Sequence, residues 1–342
     1  MGLGAVPDMH TAVLQQPDKS YLLWITGFFD HKVMGVERLS TKDFIHYENA
    51  GPGTPTQAEP VFTPSCLTDD PSCWQNYDAD YVGANAVIRA SNGTDLLMFY
   101  EAGNRTYGSG PHANAVGEYN VMALARSTDN GLTWTRQGVV VSGTDPKPTS
   151  LGGTTQPGIS EPGMVTANGF LYMFFQYIPN EDSDPEAPSV IQVARAPIAS
   201  DGGPGSWMKY FNGSWGEPGI GGKGSTIVAT GTGTECTRPV MVWPVFNTFL
   251  NAYVLTFLCN QGWFFSTSTD LVTWALPTQF LNQAMWINDL PADHNYIFVT
   301  PGNPGGVIGR IGYVLYSHSP SRNTPGITHE LWVRPFTFSK SP

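Results

Sequence analysis

Two segments of the chain share one pattern, Leu124 to Trp134 (LARSTDNGLTW) and Phe264 to Trp274 (FFSTSTDLVTW). Each is an alternating strand, then Ser-Thr-Asp, then a short turn closing on Thr-Trp. A weaker third copy runs from Val36 to Tyr47 (VERLSTKDFIHY), with an aromatic Tyr47 where the Trp would stand. A strand–turn–aromatic unit that recurs along a chain specifies repetition, because one small sheet cannot bury its apolar face alone and must stack on its copies. In an all-β chain the radial form of that repetition is a β-propeller, in which one strand of every sheet lines a central axis.

The rest of the chain keeps the same rhythm. A polar residue precedes a short apolar strand, a turn rich in Gly, Asn, Asp or Pro follows, and then comes an aromatic strand: YLLWITG, LLMFYEAG, FLYMFFQY, AYVLTFL and GYVLYS. Asn-Gly and Pro-Asp between apolar runs supply the backbone angles a tight hairpin needs. Five cycles fit, giving one five-bladed domain over 1–342 with blades near 5–59, 77–142, 160–230, 235–280 and 293–338. These exceed a minimal blade of about 40 to 45 residues, which implies long loops at 103–118, 143–159 and 198–234. Long loops over a rigid scaffold build binding pockets.

With 38 Gly, 28 Pro, 12% aromatic and only 13% charged residues, the composition fits short strands and turns rather than helices or disorder. The net charge of -11, with no Lys/Arg run, argues against nucleic acid or an anionic membrane as partner. No apolar run reaches transmembrane length, and no signal peptide is visible at the start. Cys66 and Cys73 enclose a short loop, and Cys236 and Cys259 fall on successive strand patterns, so two disulfides or four buried thiols are the readings. Disulfides and the sequons at Asn92, Asn104 and Asn212 point to a secreted glycoprotein, expected to be a monomer.

Inner-strand starts converge near a propeller axis, so acidic residues there draw attention. Asp8 (VPDMHTAVL), Glu161 (SEPGMV) and Glu235 (TECTRPVMV) each open an inner strand. Asn85 or Asp80 holds that place in blade two, and Asp293 or His294 in blade five. Carboxylates gathered in one cleft perturb each other, so that one holds its proton while another stays ionised. Glycosidic bond cleavage needs that division into acid and base.

These motifs resemble the five-bladed β-propeller glycoside hydrolases, the arabinanase/β-xylosidase family and its invertase-like relatives. The resemblance implies that Asp8 is base or nucleophile, that Glu161 holds sugar hydroxyls and tunes its neighbour, and that Glu235 is the general acid. Asp8 follows Pro7 instead of preceding a Pro, and the middle carboxylate is Glu where the family carries Asp. STDLVTW is typical of the family, and STDNGLTW also resembles the sialidase Asp box, a peripheral structural turn. His10, Asn85, Arg238 and His294 are the expected substrate-binding residues. The resemblance also implies a structural calcium near the axis, for which His10 and His294 are candidate ligands; no other cofactor is expected, and the residues themselves assign no metal site.

Each reading has a plainer counterpart. Asp8 could cap a turn, Glu235 could pair with Arg238, and Trp24, Trp74, Trp207, Trp215 and Trp263 could pack between blades instead of stacking on sugars. Gly205 to Gly222 could be a lid or a substrate platform, or an outer strand pair joined by Asn212-Gly213. At the level of function the alternatives are a lectin-like propeller without catalysis, or a lyase, isomerase or cyclase using the same pocket.

Overall fold

The computed structural model describes residues 8–29, 33–54, 57–66, 72–105, 118–148, 157–179, 189–228, 236, 239–259, 262–281, 292–300, 306–319 and 330–340. The chain is a five-bladed β-propeller. Blade one holds β1 (Ala12–Gln15), β2 (Tyr21–Phe29), β3 (Val33–Thr41) and β4 (Tyr47–Asn49), followed by a small ribbon of β5 (Gly53–Thr54) and β6 (Gln57–Ala58). Blade two holds β7 (Tyr81–Arg89), β8 (Leu96–Asn104), β9 (Tyr119–Ser127) and β10 (Thr135–Val141). Blade three holds β11 (Gly158–Ala167), β12 (Phe170–Ile178), β13 (Val190–Pro197), β14 (Met208–Phe211) and β15 (Ser214–Pro218). Blade four holds β16 (Val240–Asn247), β17 (Ala252–Cys259), β18 (Gly262–Ser268) and β19 (Thr278–Leu281). Blade five holds β20 (Ala292–Val299), β22 (Ile311–Ser319) and β23 (Glu330–Thr337), while β21 (Val307–Ile308) joins the inner edge of blade four in parallel.

The aromatic strands read as continuous apolar runs because they are buried on both faces. In β2, Tyr21, Leu23 and Ile25 enter a core shared with blades four and five, while Leu22 and Trp24 enter the core shared with blade two. In β12, Leu171, Met173 and Phe175 face blade two, and Tyr172 and Phe174 face blade four. The period of two thus sorts each blade's side chains between its two neighbours. Every adjacent pair of blades shares a core, and the last closes blade five onto blade one. Among the described residues, side-chain packing makes that closure; no strand from the start of the chain pairs with one from its end.

The repeated Ser-Thr-Asp turns carry this packing. Asp129 accepts backbone N–H bonds from Leu132 and Thr133 at 3.1 and 2.9 Å, and Asp270 accepts them from Val272 and Thr273 at 3.0 and 2.7 Å. Asp43 does the same for Ile45 and His46. Each turn leans on the second strand of the preceding blade. Gly131 lies under Trp24, Trp274 meets Phe174 edge-on at 5.6 Å, and Phe44 reaches Tyr313 of blade five at 6.3 Å. Blade three lacks the motif but repeats the contact, with Gly202 and Trp207 against Phe99. Asp129 and Asp270 are therefore structural.

Several sequence expectations change. The inner strand of blade one begins at Ala12, so Asp8 precedes it, tied by its N–H to the Thr26 carbonyl at 2.9 Å. Gly205 to Gly222 forms the outer hairpin of β14 and β15 and is not a lid. Trp24, Trp207 and Trp263 are fully buried and cannot stack on a sugar. Both expected disulfides are present, Cys66–Cys73 and Cys236–Cys259. The Asn104 sequon is closed to a glycan, because that side chain is buried and donates to the Trp74 and Asn76 carbonyls, whereas Asn92 and Asn212 sit in exposed turns.

Candidate active site

The inner strands of blades two to five share one irregularity. Pairing slips between Ala84 and Ala86, Ser160 and Gly163, Val240 and Trp243, and His294 and Ile297. Each slip is a β-bulge near the start of the strand, which bends the chain and re-aims a side chain. Glu161 and Met241 occupy these bulges with φ of 48° and 57°. Such left-handed backbone costs a non-glycine residue about 1 to 2 kcal/mol and persists only where the surroundings enforce it.

The surroundings of Glu161 do so. Its N–H donates to Glu101 Oε2 at 2.5 Å, and Ser160 Oγ donates to Glu101 Oε1 at 3.4 Å. Its own Oε2 accepts the Met241 N–H at 2.8 Å. Gly163 makes that bond reachable, since a Cβ there would lie 2.4 Å from the Val242 carbonyl oxygen and 2.3 Å from Pro244 Cδ. Only glycine lets β11 and β16 approach so closely.

Asp8 reaches the same centre from blade one. Tyr81 donates its hydroxyl to Asp8 Oδ2 at 3.2 Å. Thr26, which holds the Asp8 backbone, accepts the Ala84 N–H at 2.8 Å and so fixes blade one to blade two. Burial pushes the Asp8 carboxyl from 3.8 up to about 7, only partly offset by the Tyr81 hydrogen bond, with the Glu118 charge adding to the rise and Arg105 opposing it. Burial also raises Glu161 from 4.5 to about 7, opposed by the Met241 N–H and reinforced by the charge of Asp8. The two carboxyls are thus electrostatically coupled, and each is poised near neutrality.

Two further carboxyls complete the cluster, and the sequence did not single them out. Glu101, on β8, is buried and raised well above its ordinary value, first by desolvation. Glu118, just before β9, is buried and also raised by desolvation, against an ion pair with Arg105 at 3.0 Å. Arg105 is itself held by its N–H to Asp80 Oδ2 at 2.6 Å. The available signal was a charged residue inside an otherwise apolar strand, LLMFYEAG; its position in the middle of the blade hid its reach toward the axis.

The other expected site residues divide. His10 is fully buried, 5.1 Å from the Trp243 ring, and burial lowers it to about 4, so it is neutral. Its ring nitrogens face the Asn85 amide and the Met241 backbone without meeting hydrogen-bond geometry. Asn85 is buried in the blade-two bulge, its amide N–H donating to the Gly83 carbonyl at 2.9 Å. Glu235 and Arg238 lie outside the described residues, as does the side chain of His294. Cys236, next to Glu235 in the chain, is buried and joined to Cys259 at the end of β17. Arg195 stacks between Phe170 and Trp215 at 4.3 Å from each ring.

Calcium takes about six to eight oxygen ligands. Among the described residues no three His, Cys, Asp or Glu side chains are grouped to hold a metal. Of the two candidate ligands, His10 offers only imidazole nitrogens, and the side chain of His294 lies outside the described residues.

No protein-family model matches the sequence, and no curated protein matches it. Solved structures do. An α-L-arabinofuranosidase from Lactobacillus brevis is 11% identical over 99% of this chain and 93% of its own, with a TM-score of 0.57. The endo-arabinase from Bacteroides thetaiotaomicron VPI-5482 is 11% identical over 99% and 96%, with a TM-score of 0.54. An N-acetylgalactosamine deacetylase from F. plautii, in complex with blood group B trisaccharide, is 13% identical over 98% and 90%, with a TM-score of 0.57. The chain shares its fold with the five-bladed propeller glycoside hydrolases. At such identities the likeness is one of architecture, and chemistry must be argued from the site.

Proposed function

We propose that the protein is a glycoside hydrolase whose substrate enters at the starts of the inner strands. The observation that carries this reading is the pair of half-buried carboxyls, Asp8 and Glu161, delivered by separate blades and raised toward neutral pH. Burial without a direct ion pair suits proton transfer, because a carboxyl near neutrality can take and return a proton at working pH. Asp8 would act in its ionised form, activating water or attacking the anomeric carbon. Glu161, its proton affinity raised by the Asp8 charge, would hold the sugar through its other carboxyl oxygen. Glu235 would protonate the leaving oxygen. Tyr81 orients Asp8, and Glu101 orients Glu161. The substrate is a carbohydrate, and the two disulfides favour an oxidising, extracellular setting.

Turnover of aryl glycosides with good and poor leaving groups tests the proposal. Glu235→Gln should lose turnover of the poor leaving groups by about a hundredfold or more while retaining the good ones. A wild-type protein that binds sugars but turns over no furanoside or pyranoside would instead be a lectin-like propeller.

A further inference from the structure

His10 belongs to blade one, yet it packs against the bulges of two other blades. Asn85 stands inside the blade-two bulge, between Ala84 and Ala86, and Met241 inside the blade-four bulge, between Val240 and Trp243. The fully buried imidazole turns its nitrogens toward the Asn85 amide and the Met241 backbone, and it packs on the Trp243 ring at 5.1 Å. Asn85 gives its amide N–H to the Gly83 carbonyl, so its oxygen is the group left for the imidazole. That oxygen and both ring nitrogens meet no hydrogen-bond partner elsewhere among the described residues. A neutral imidazole carries one donor and one acceptor, which suits an amide oxygen at one nitrogen and a backbone group at the other. Burial keeps the ring in that neutral form.

Met241 needs such support. Its φ of 57° is a left-handed conformation that is costly for any residue with a Cβ. Its N–H holds Glu161 Oε2 at 2.8 Å, so the aim of Glu161 depends on this backbone keeping its place. Blade three supports the bulge from one direction, through the Glu161 bond itself and the close approach of Gly163 to Val242. His10 supports it from blade one. Asp8 lies two residues before His10 and donates its N–H to the Thr26 carbonyl at 2.9 Å. The segment from Asp8 to His10 is thus fixed to blade one at its start and against blades two and four at its end.

We propose, resting on the hydrolase reading, that His10 is a positioning residue: it holds the Met241 bulge in the conformation that aims Glu161, and so sets the spacing between Glu161 and Asp8. Being fully buried, it acts through Met241 and not on the substrate. Carboxyl spacing decides whether a water fits between the two groups, so His10 contributes geometry.

Amide hydrogen exchange of the intact protein, followed by NMR, tests this without relying on turnover; kinetics on aryl glycosides tests it through the reaction. His10→Leu keeps bulk and removes both nitrogens, and His10→Gln keeps a donor and an acceptor. In His10→Leu the Met241 amide should exchange about tenfold faster while the β22 amides are unchanged. Its kcat should fall about tenfold or more with KM within about twofold of wild type. His10→Gln should recover most of both. If His10→Leu does not fold, the same substitution is made in a Met241→Gly background, where glycine takes the left-handed conformation unaided and folding should return. Unchanged Met241 protection in His10→Leu, equal loosening of the β22 amides, an unmoved kcat in an active enzyme, or no return of folding with Met241→Gly would overturn the assignment. A wild-type protein inert on every glycoside would refute the hydrolase reading alone, and the exchange result would still decide whether His10 holds the bulge.

Discussion

Asp8→Asn should stabilise the protein while disabling it, and the stabilisation should depend on pH in a particular direction. Burial raises the folded-state value of Asp8 from 3.8 to about 7. A carboxyl raised in this way favours the folded state in its protonated form. Its penalty is absent below about 3.8, grows as pH rises, and is complete above about 7. At 1.36 kcal/mol for each pK unit, holding Asp8 ionised costs the folded state about 4 kcal/mol at pH 8. Asparagine is isosteric, cannot ionise and can still accept the Tyr81 hydroxyl. Unfolding entropy of about 2.1 cal/mol/K per residue gives about 0.7 kcal/mol/K for 342 residues. The variant should therefore melt about 6 °C higher than wild type at pH 8 and within about 1 °C of it at pH 4. Differential scanning calorimetry across that range reads both numbers. An equal gain at the two pH values would mean that the amide merely packs better, and no gain at pH 8 would refute the desolvation argument. Activity of the same variant should fall at least a hundredfold, roughly the worth of a general base.

With Asp8 as the proposed base, wild-type kcat/KM should climb with pH toward about 7 and fall again where the proposed acid Glu235 ionises; a profile flat from pH 5 to 8 would remove Asp8 from that role. Glu101→Ala strands the buried Glu161 N–H, so it should cost about 1 to 3 kcal/mol of stability and lower kcat more than it alters KM; Glu101→Gln, which keeps an acceptor, should recover most of the loss by both measures. Gly163→Ala should lower the melting temperature by the equivalent of about 1 to 3 kcal/mol, because its Cβ would overlap the Val242 carbonyl and part β11 from β16. Replacing Cys236 and Cys259 by serine should cost about 3 kcal/mol in chemical denaturation.

The fold was largely legible because its causes are local and periodic. The LARSTDNGLTW and FFSTSTDLVTW turns write the hydrogen bonds of Asp129 and Asp270 directly into sequence, since donor and acceptor are three or four residues apart. The aromatic runs marked the strands, and Asn212-Gly213 offered the outer hairpin as one reading of its segment. Asp8 and Glu161 stood out in the sequence as acidic residues beside apolar runs, but their nearness did not, because they belong to separate blades. The bulges that aim Glu161 were not legible, because a slip of register is a property of two paired strands and neither shows it alone. Glu101 was hidden for a related reason: its partners Ser160 and Glu161 are about 60 residues away, and nothing nearby in the chain records them.

By itself, then, the sequence determined the repeated unit, the two-sided strands and the turns that dock one blade on the next, all set by contacts within a few residues. Tertiary structure alone decided which carboxyls share a centre. Closing the ring brought Asp8 and Glu161 partly out of water and Glu161 within reach of the Asp8 charge, and proton affinity at that centre depends on solvent exclusion and distant charges that no local pattern encodes.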